Sequence, residues 1–113
     1  MLDFLERALR RRFRITRCRN AEEALERLEE AEYEVLITDQ KMPRVSGLEL
    51  LERIGDAQPQ LVRVLISGFT DVPDMNRAID HGGIHNYILK PVDSQKLMEA
   101  VDEAYRVRDN EER

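Results

Sequence analysis

Three short apolar runs, separated by segments of helical periodicity, constrain this chain more than any other feature. The first is Val35-Leu36-Ile37-Thr38, followed at once by Asp39. The second is Leu61-Val-Arg-Val-Leu-Ile, ending at Ser67-Gly68, and the third is Ile84-His-Asn-Tyr-Ile-Leu, ending at Lys90-Pro91. Continuous apolar runs this short read as strands buried on both faces. Amphipathic stretches separate them. Ala21, Ala24, Leu25, Leu28 and Ala31 trace one helical face behind Asn20, a good N-cap with Glu22 and Glu23 in the first turn. Ser46 with Glu49 makes a capping-box pattern ahead of Leu48, Leu51 and Ile54, and Gly55 and Pro59 stop that helix. Met75, Ala78 and Ile79 line a helix over Asp71–His81, ended by Gly82-Gly83. Leu97, Val101, Ala104 and Tyr105 line a last helix capped by Asp93 or Ser94.

The chain opens on Leu2, Leu5 and Leu9, helical spacing within Met1–Arg12. Arg10-Arg11-Arg12 suits a helix C-terminus, where cations complement the macrodipole. Phe13-Arg-Ile-Thr then alternates as a half-exposed strand does. Asp109–Arg113 reads as a charged, frayed tail. Strands alternating with helices imply an α/β fold, a parallel sheet with helices on both faces. At 113 residues the chain reads as one domain, with neither a repeat nor a linker.

Composition narrows the functions. A formal net charge of −5 argues against a general nucleic-acid binder, which carries a basic face. The single cysteine, Cys18, permits no internal disulfide, and its expected role is a small core hydrophobe. That fits a cytoplasmic location. No apolar run approaches the roughly 18 residues of a membrane span.

The strand ends carry the chemistry. Parallel strands place their carboxyl ends on one edge, where open α/β sheets bind ligands. Asp39, Ser67 and Lys90 should therefore converge. An Asp, a hydroxyl and an ammonium suit phosphoryl transfer. The carboxylate acts as nucleophile and forms an acyl phosphate. Lys90 and the Ser67 hydroxyl neutralise and hydrogen-bond the phosphoryl oxygens. Such a transfer also wants a divalent metal.

The motifs V-L-I-T-D-Q-K-M-P-R-V-S-G-L-E-L-L, V-L-I-S-G-F-T-D and I-H-N-Y-I-L-K-P resemble those of response-regulator receiver domains from bacterial two-component systems. The likeness runs from about Met1 to Val107 and implies a flavodoxin-like doubly wound sheet. It implies Asp39 as phospho-acceptor from a sensor histidine kinase. It makes Ser67 and Tyr87 the switch residues that alter an interaction face, and Lys90 a phosphate contact. It implies a cis bond before Pro91, and a downstream output protein or domain as partner. The site would not be that of an enzyme. Haloacid-dehalogenase-like phosphatases share the Asp, hydroxyl and Lys pattern but need an acid where this chain has Lys41. The D-Q-K-M-P and S-G-F-T-D wording is similar to receivers beside cyclic-dinucleotide phosphodiesterases and transcription activators.

The resemblance has one gap. Receivers begin with an apolar strand ending in two acids that hold Mg²⁺, whereas this chain begins at the helix expected to follow it. The metal site would then keep Asp39 and the main-chain carbonyl of Lys41, an incomplete set that binds Mg²⁺ weakly. The absent strand is the middle one of the 2-1-3-4-5 order. Its absence separates Phe13–Thr16 from Val35–Thr38 and exposes an apolar edge. Three outcomes are open: the strands close up, a second molecule fills the slot as a homodimer, or the natural protein has the strand. Residues 1–113 are accordingly expected to be a receiver domain, N-terminally incomplete. The alternative function is a phosphate-independent pseudo-receiver acting as an interaction or dimerisation module.

Overall fold

The computed structural model describes residues 2–42, 44–81 and 83–111. Its centre is β2 (Val62–Ser67), hydrogen-bonded in parallel on one side to β1 (Val35–Asp39) and on the other to β3 (Asn86–Leu89). Val62, Val64, Leu65 and Ile66 are completely buried. Each such side chain removed from water contributes about 1.5–3 kcal/mol.

Alternation along β2 divides the core in two. Val62, Val64 and Ile66 face α1 (Leu2–Leu9) and α5 (Ser94–Glu111), together with Leu97, Val101 and Ala104. Leu65 faces α2 (Ala21–Glu30), α3 (Gly47–Ile54) and α4 (Val72–Asp80), among Leu28, Leu50, Met75 and Ile84. The doubly wound α/β arrangement is thus present. Asn20 Oδ1 accepts the Glu23 N–H at 2.8 Å, Ser46 Oγ the Glu49 N–H at 3.1 Å, and Asp93 Oδ1 the Lys96 N–H at 2.8 Å. Asp93 is therefore the residue that caps α5. Gly55 ends α3 with φ 54°, a left-handed conformation that suits glycine.

Three expectations are corrected. Phe13–Thr16 forms no strand, and the described sheet has three strands with β1 at an edge. A strand needs a backbone neighbour, and this segment is held by side chains instead. Phe13 and Ile15 pack on the core beneath α1 and α5, and the Phe13 ring stacks on Tyr105 at 6.4 Å. The segment does not close up against β1, whose one strand partner among the described residues is β2. As an edge strand, β1 is half-buried throughout, unlike β2. The tail is the second correction: α5 continues to Glu111, so Asp109 to Glu111 are helical. The expected helix stop at Gly82, the motif residue Pro43, Met1 and the tail residues 112 and 113 lie outside the described residues. The opening helix ends at Leu9, short of Arg12.

Candidate functional site

Two backbone hydrogen bonds carry the ladders just past the strand ends. Gln40 N–H donates to the Ile66 carbonyl at 2.8 Å, and Lys90 N–H donates to the Ser67 carbonyl at 2.9 Å. They hold Asp39, Ser67 and Lys90 at one edge of the sheet. Lys90 Nζ reaches Asp39 Oδ2 at 2.9 Å, with the two side chains 41% and 26% exposed. Asp39 Oδ1 accepts the Lys41 N–H at 3.1 Å, an Asx-type turn. The pair is a partly exposed ion pair at the carboxyl edge of the sheet, within reach of a ligand from solvent.

Ser67 differs. It is 1% exposed, and its Oγ has no hydrogen-bond partner. An unsatisfied buried hydroxyl costs about 1–3 kcal/mol. Tyr87, partly buried, packs against the core shared by α2, α3 and α4, and its phenol donates to Asn76 Oδ1 on α4 at 3.1 Å. Tyr87 thus ties β3 to α4. The Lys90–Pro91 peptide bond is cis.

Gly47 escaped the sequence reading. Its N–H donates to the Gln40 carbonyl at 3.0 Å, and Leu48 N–H donates to Gln40 Oε1 at 2.9 Å. A Cβ on Gly47 would lie 2.7 Å from Leu65 Cδ2 and 2.8 Å from the Asp39 carbonyl oxygen. The missing side chain lets α3 sit directly against the loop that presents Asp39. A glycine at the first helical position, behind an N-cap that already starts the helix, was the available signal. Phe69, 76% exposed, is the other feature, two residues beyond Ser67. Cys18 stands apart on α2's side of the sheet, where burial and then Glu23 push its thiol pKa up, away from thiolate chemistry.

The donors around Asp39 do not fit a magnesium ion. Mg²⁺ wants near-octahedral oxygen ligands, usually one or two carboxylates. Here the single carboxylate is held by an ammonium on one oxygen and a backbone N–H on the other. Among the described residues, no group of three or more His, Cys, Asp or Glu side chains is placed to hold a metal.

A family model, the response regulator receiver domain, matches residues 1–102. The chain belongs to the response regulator receiver family. Among its relatives, the hydrogenase transcriptional regulatory protein HoxA of Cupriavidus necator is 36% identical over 102 residues, 90% of this chain and 21% of that protein. This receiver therefore spans about a fifth of the length of that relative. A receiver domain protein from Clostridium thermocellum shares the fold with a TM-score of 0.84 at 26% identity, covering 96% of this chain and 88% of that one. The signal receiver domain of an HD domain-containing protein from Pseudomonas fluorescens aligns at 30% identity and TM-score 0.82, covering 98% and 82%. Receivers are signalling modules of two-component systems, and the flavodoxin-like architecture is common to the group. No helix among the described residues is long and apolar enough to cross a membrane.

Proposed function

We propose that Asp39 accepts a phosphoryl group from a sensor histidine kinase, and that Lys90, Ser67 and Tyr87 read its arrival. The observation carrying this is the 2.9 Å Asp39–Lys90 contact at the carboxyl edge of the sheet. In the transfer, an Asp39 carboxylate oxygen attacks the phosphorus of a phosphohistidine. The P–N bond breaks, its electron pair leaves with the imidazole, and an acyl phosphate remains on Asp39. Lys90 exchanges the carboxylate for phosphoryl oxygens. Ser67 Oγ gains the partner it lacks, and Tyr87 carries the change to the face it shares with α4. Residues 1–113 act as one receiver unit, and kinship with HoxA favours transcriptional control as the output class.

The test is intact mass after incubation with acetyl phosphate or a phosphorylated kinase. One added phosphoryl group on the natural chain, and none on the Asp39→Asn variant, is the expected result. Labelling of the variant would sink the assignment of Asp39.

The poor fit to Mg²⁺ favours a second reading, a pseudo-receiver that binds its partner without phosphate. A fusion placing an apolar strand with two terminal acids ahead of Met1 separates the two. Phosphoryl uptake gained by the fusion means the site was short of metal ligands. Uptake in neither form, with partner binding kept by Asp39→Asn and lost by Tyr87→Ala, establishes the pseudo-receiver.

A further inference from the structure

Charge is distributed very unevenly along this receiver. Seven of its 18 basic residues and none of its 23 acidic ones lie in residues 7–19, so that segment carries +7 and the rest of the chain −12. The stretch that follows, residues 20–34, holds seven glutamates and one arginine, a charge of −6. All seven arginines are exposed. Among the described residues the side chains of Arg10, Arg11, Arg14 and Arg19 make no hydrogen bond or ion pair, and neither do those of Glu22, Glu26, Glu29 and Glu32, also exposed.

The fold sets these blocks side by side. Phe13 and Ile15 pack on the α1 and α5 side of the sheet, whereas Cys18 packs on the α2 side. The basic segment therefore crosses from one face to the other. It does so on the side of β1, because Phe13 stacks on Tyr105, whose phenol bonds Glu34 just ahead of β1. The acidic outer face of α2 begins where the crossing ends.

We propose that this receiver pairs with a second copy of itself, the basic segment 7–19 of each copy lying against the acidic α2 face of the other. Adjacent blocks of +7 and −6 are self-complementary under a two-fold axis, where each contact is made twice and the assembly closes at two. A nucleic acid fits less well, because the remaining −12 repels a polyanion. Single exposed ion pairs are weak and screened by salt, so the dimer is salt-sensitive. This inference is independent of phosphorylation.

Sedimentation velocity tests it. A dimer is expected at about 0.01 M salt and a monomer at about 1 M, as the screening length falls from about 30 Å to about 3 Å. Arg10→Glu/Arg11→Glu/Arg14→Glu and Glu26→Lys/Glu29→Lys/Glu32→Lys should each be monomeric at low salt. Their equimolar mixture should form a heterodimer, since one of its two contacts is then the native pairing and the other is restored with the signs exchanged. Circular dichroism checks folding, and glutamine at the three arginine positions replaces the first variant if it unfolds. A monomer at low salt, a dimer indifferent to salt, growth beyond two copies, or a mixture that stays monomeric overturns the proposal. So does binding of a DNA duplex by a chain that does not self-associate.

Discussion

The two ends of the sheet engage their polar groups to different degrees. At the amino end, polar groups are engaged with one another. His85, 6% exposed, accepts the Arg63 backbone N–H on Nδ1 at 2.9 Å, and the His85 backbone N–H donates to the Arg63 carbonyl at 2.9 Å. Arg63 Nη2 donates to the carbonyls of Gly55 and Gln58 at 2.9 and 3.0 Å, while its buried Nε makes no hydrogen bond. Arg108 donates to the Gln60 carbonyl at 3.0 Å, and Tyr105 to Glu34 at 2.9 Å. At the carboxyl end, Ser67 Oγ has no partner, and Asp39 and Lys90 hold each other at a partly exposed edge. One end fixes the packing. The other keeps polar capacity unspent, which is what a site needs for a ligand that comes and goes.

The contrast holds for side chains and reverses for backbone, and Gly47→Ala exposes this. In an exposed helix interior, alanine stabilises over glycine by about 0.5–1 kcal/mol. Here the added methyl would meet Leu65 and the Asp39 carbonyl inside van der Waals contact. We expect a loss of about 3 kcal/mol in urea denaturation, the upper range for overpacking. A neutral result would mean the loop at the carboxyl end is soft.

Arg63→Met comes next. The stem keeps its packing, but two carbonyls lose a charged donor. A loss of about 2 kcal/mol is expected by the same measurement, as hydrogen bonds to charged groups contribute about 1.5–3 kcal/mol. Phosphoryl uptake should not change, because the residue lies at the other end of β2.

Tyr105→Phe should cost about 1 kcal/mol at neutral pH through loss of the bond to Glu34. Its pH dependence is more telling. Burial, then the hydrogen bond to Glu34 and its charge, push the Tyr105 pKa from 10.0 up to about 12, against the opposing charges of Arg108 and Arg12. The fold favours the neutral phenol. That stabilisation is full below pH 10.0 and is lost as pH rises through about 12. Denaturation midpoints of the two proteins should converge over this window. A constant gap would assign the effect to packing.

The same contrast explains what was legible in the sequence. The three apolar runs, the caps at Asn20 and Ser46, and the convergence of Asp39 and Lys90 follow from local pattern and from parallel strands sharing one edge. Phe13–Thr16 misled because alternation reports which side chains face a core, and Phe13 and Ile15 do face one without any strand pairing. Gly47 was hidden because its constraint is set by Leu65 and Asp39, brought close only by the fold. The engagements of His85 and Arg63 were invisible for the same reason: their partners are Arg63's own backbone, Gly55 and Gln58 across a turn.

Ser67→Ala carries the smallest expected effect and the sharpest sign. Removing a buried hydroxyl normally forfeits a hydrogen bond worth about 1 kcal/mol. Ser67 Oγ makes none, so its removal relieves an unsatisfied buried group. The unliganded protein should be unchanged or more stable by up to about 1 kcal/mol. If Ser67 is the group that meets the phosphoryl oxygen, the same variant should still take up phosphate on Asp39. It should then fail to show the change in Tyr87 fluorescence or partner affinity that follows in the natural chain. Clear destabilisation of the unliganded variant would place Ser67 with the amino-end groups, as a part of the packing and not of the site.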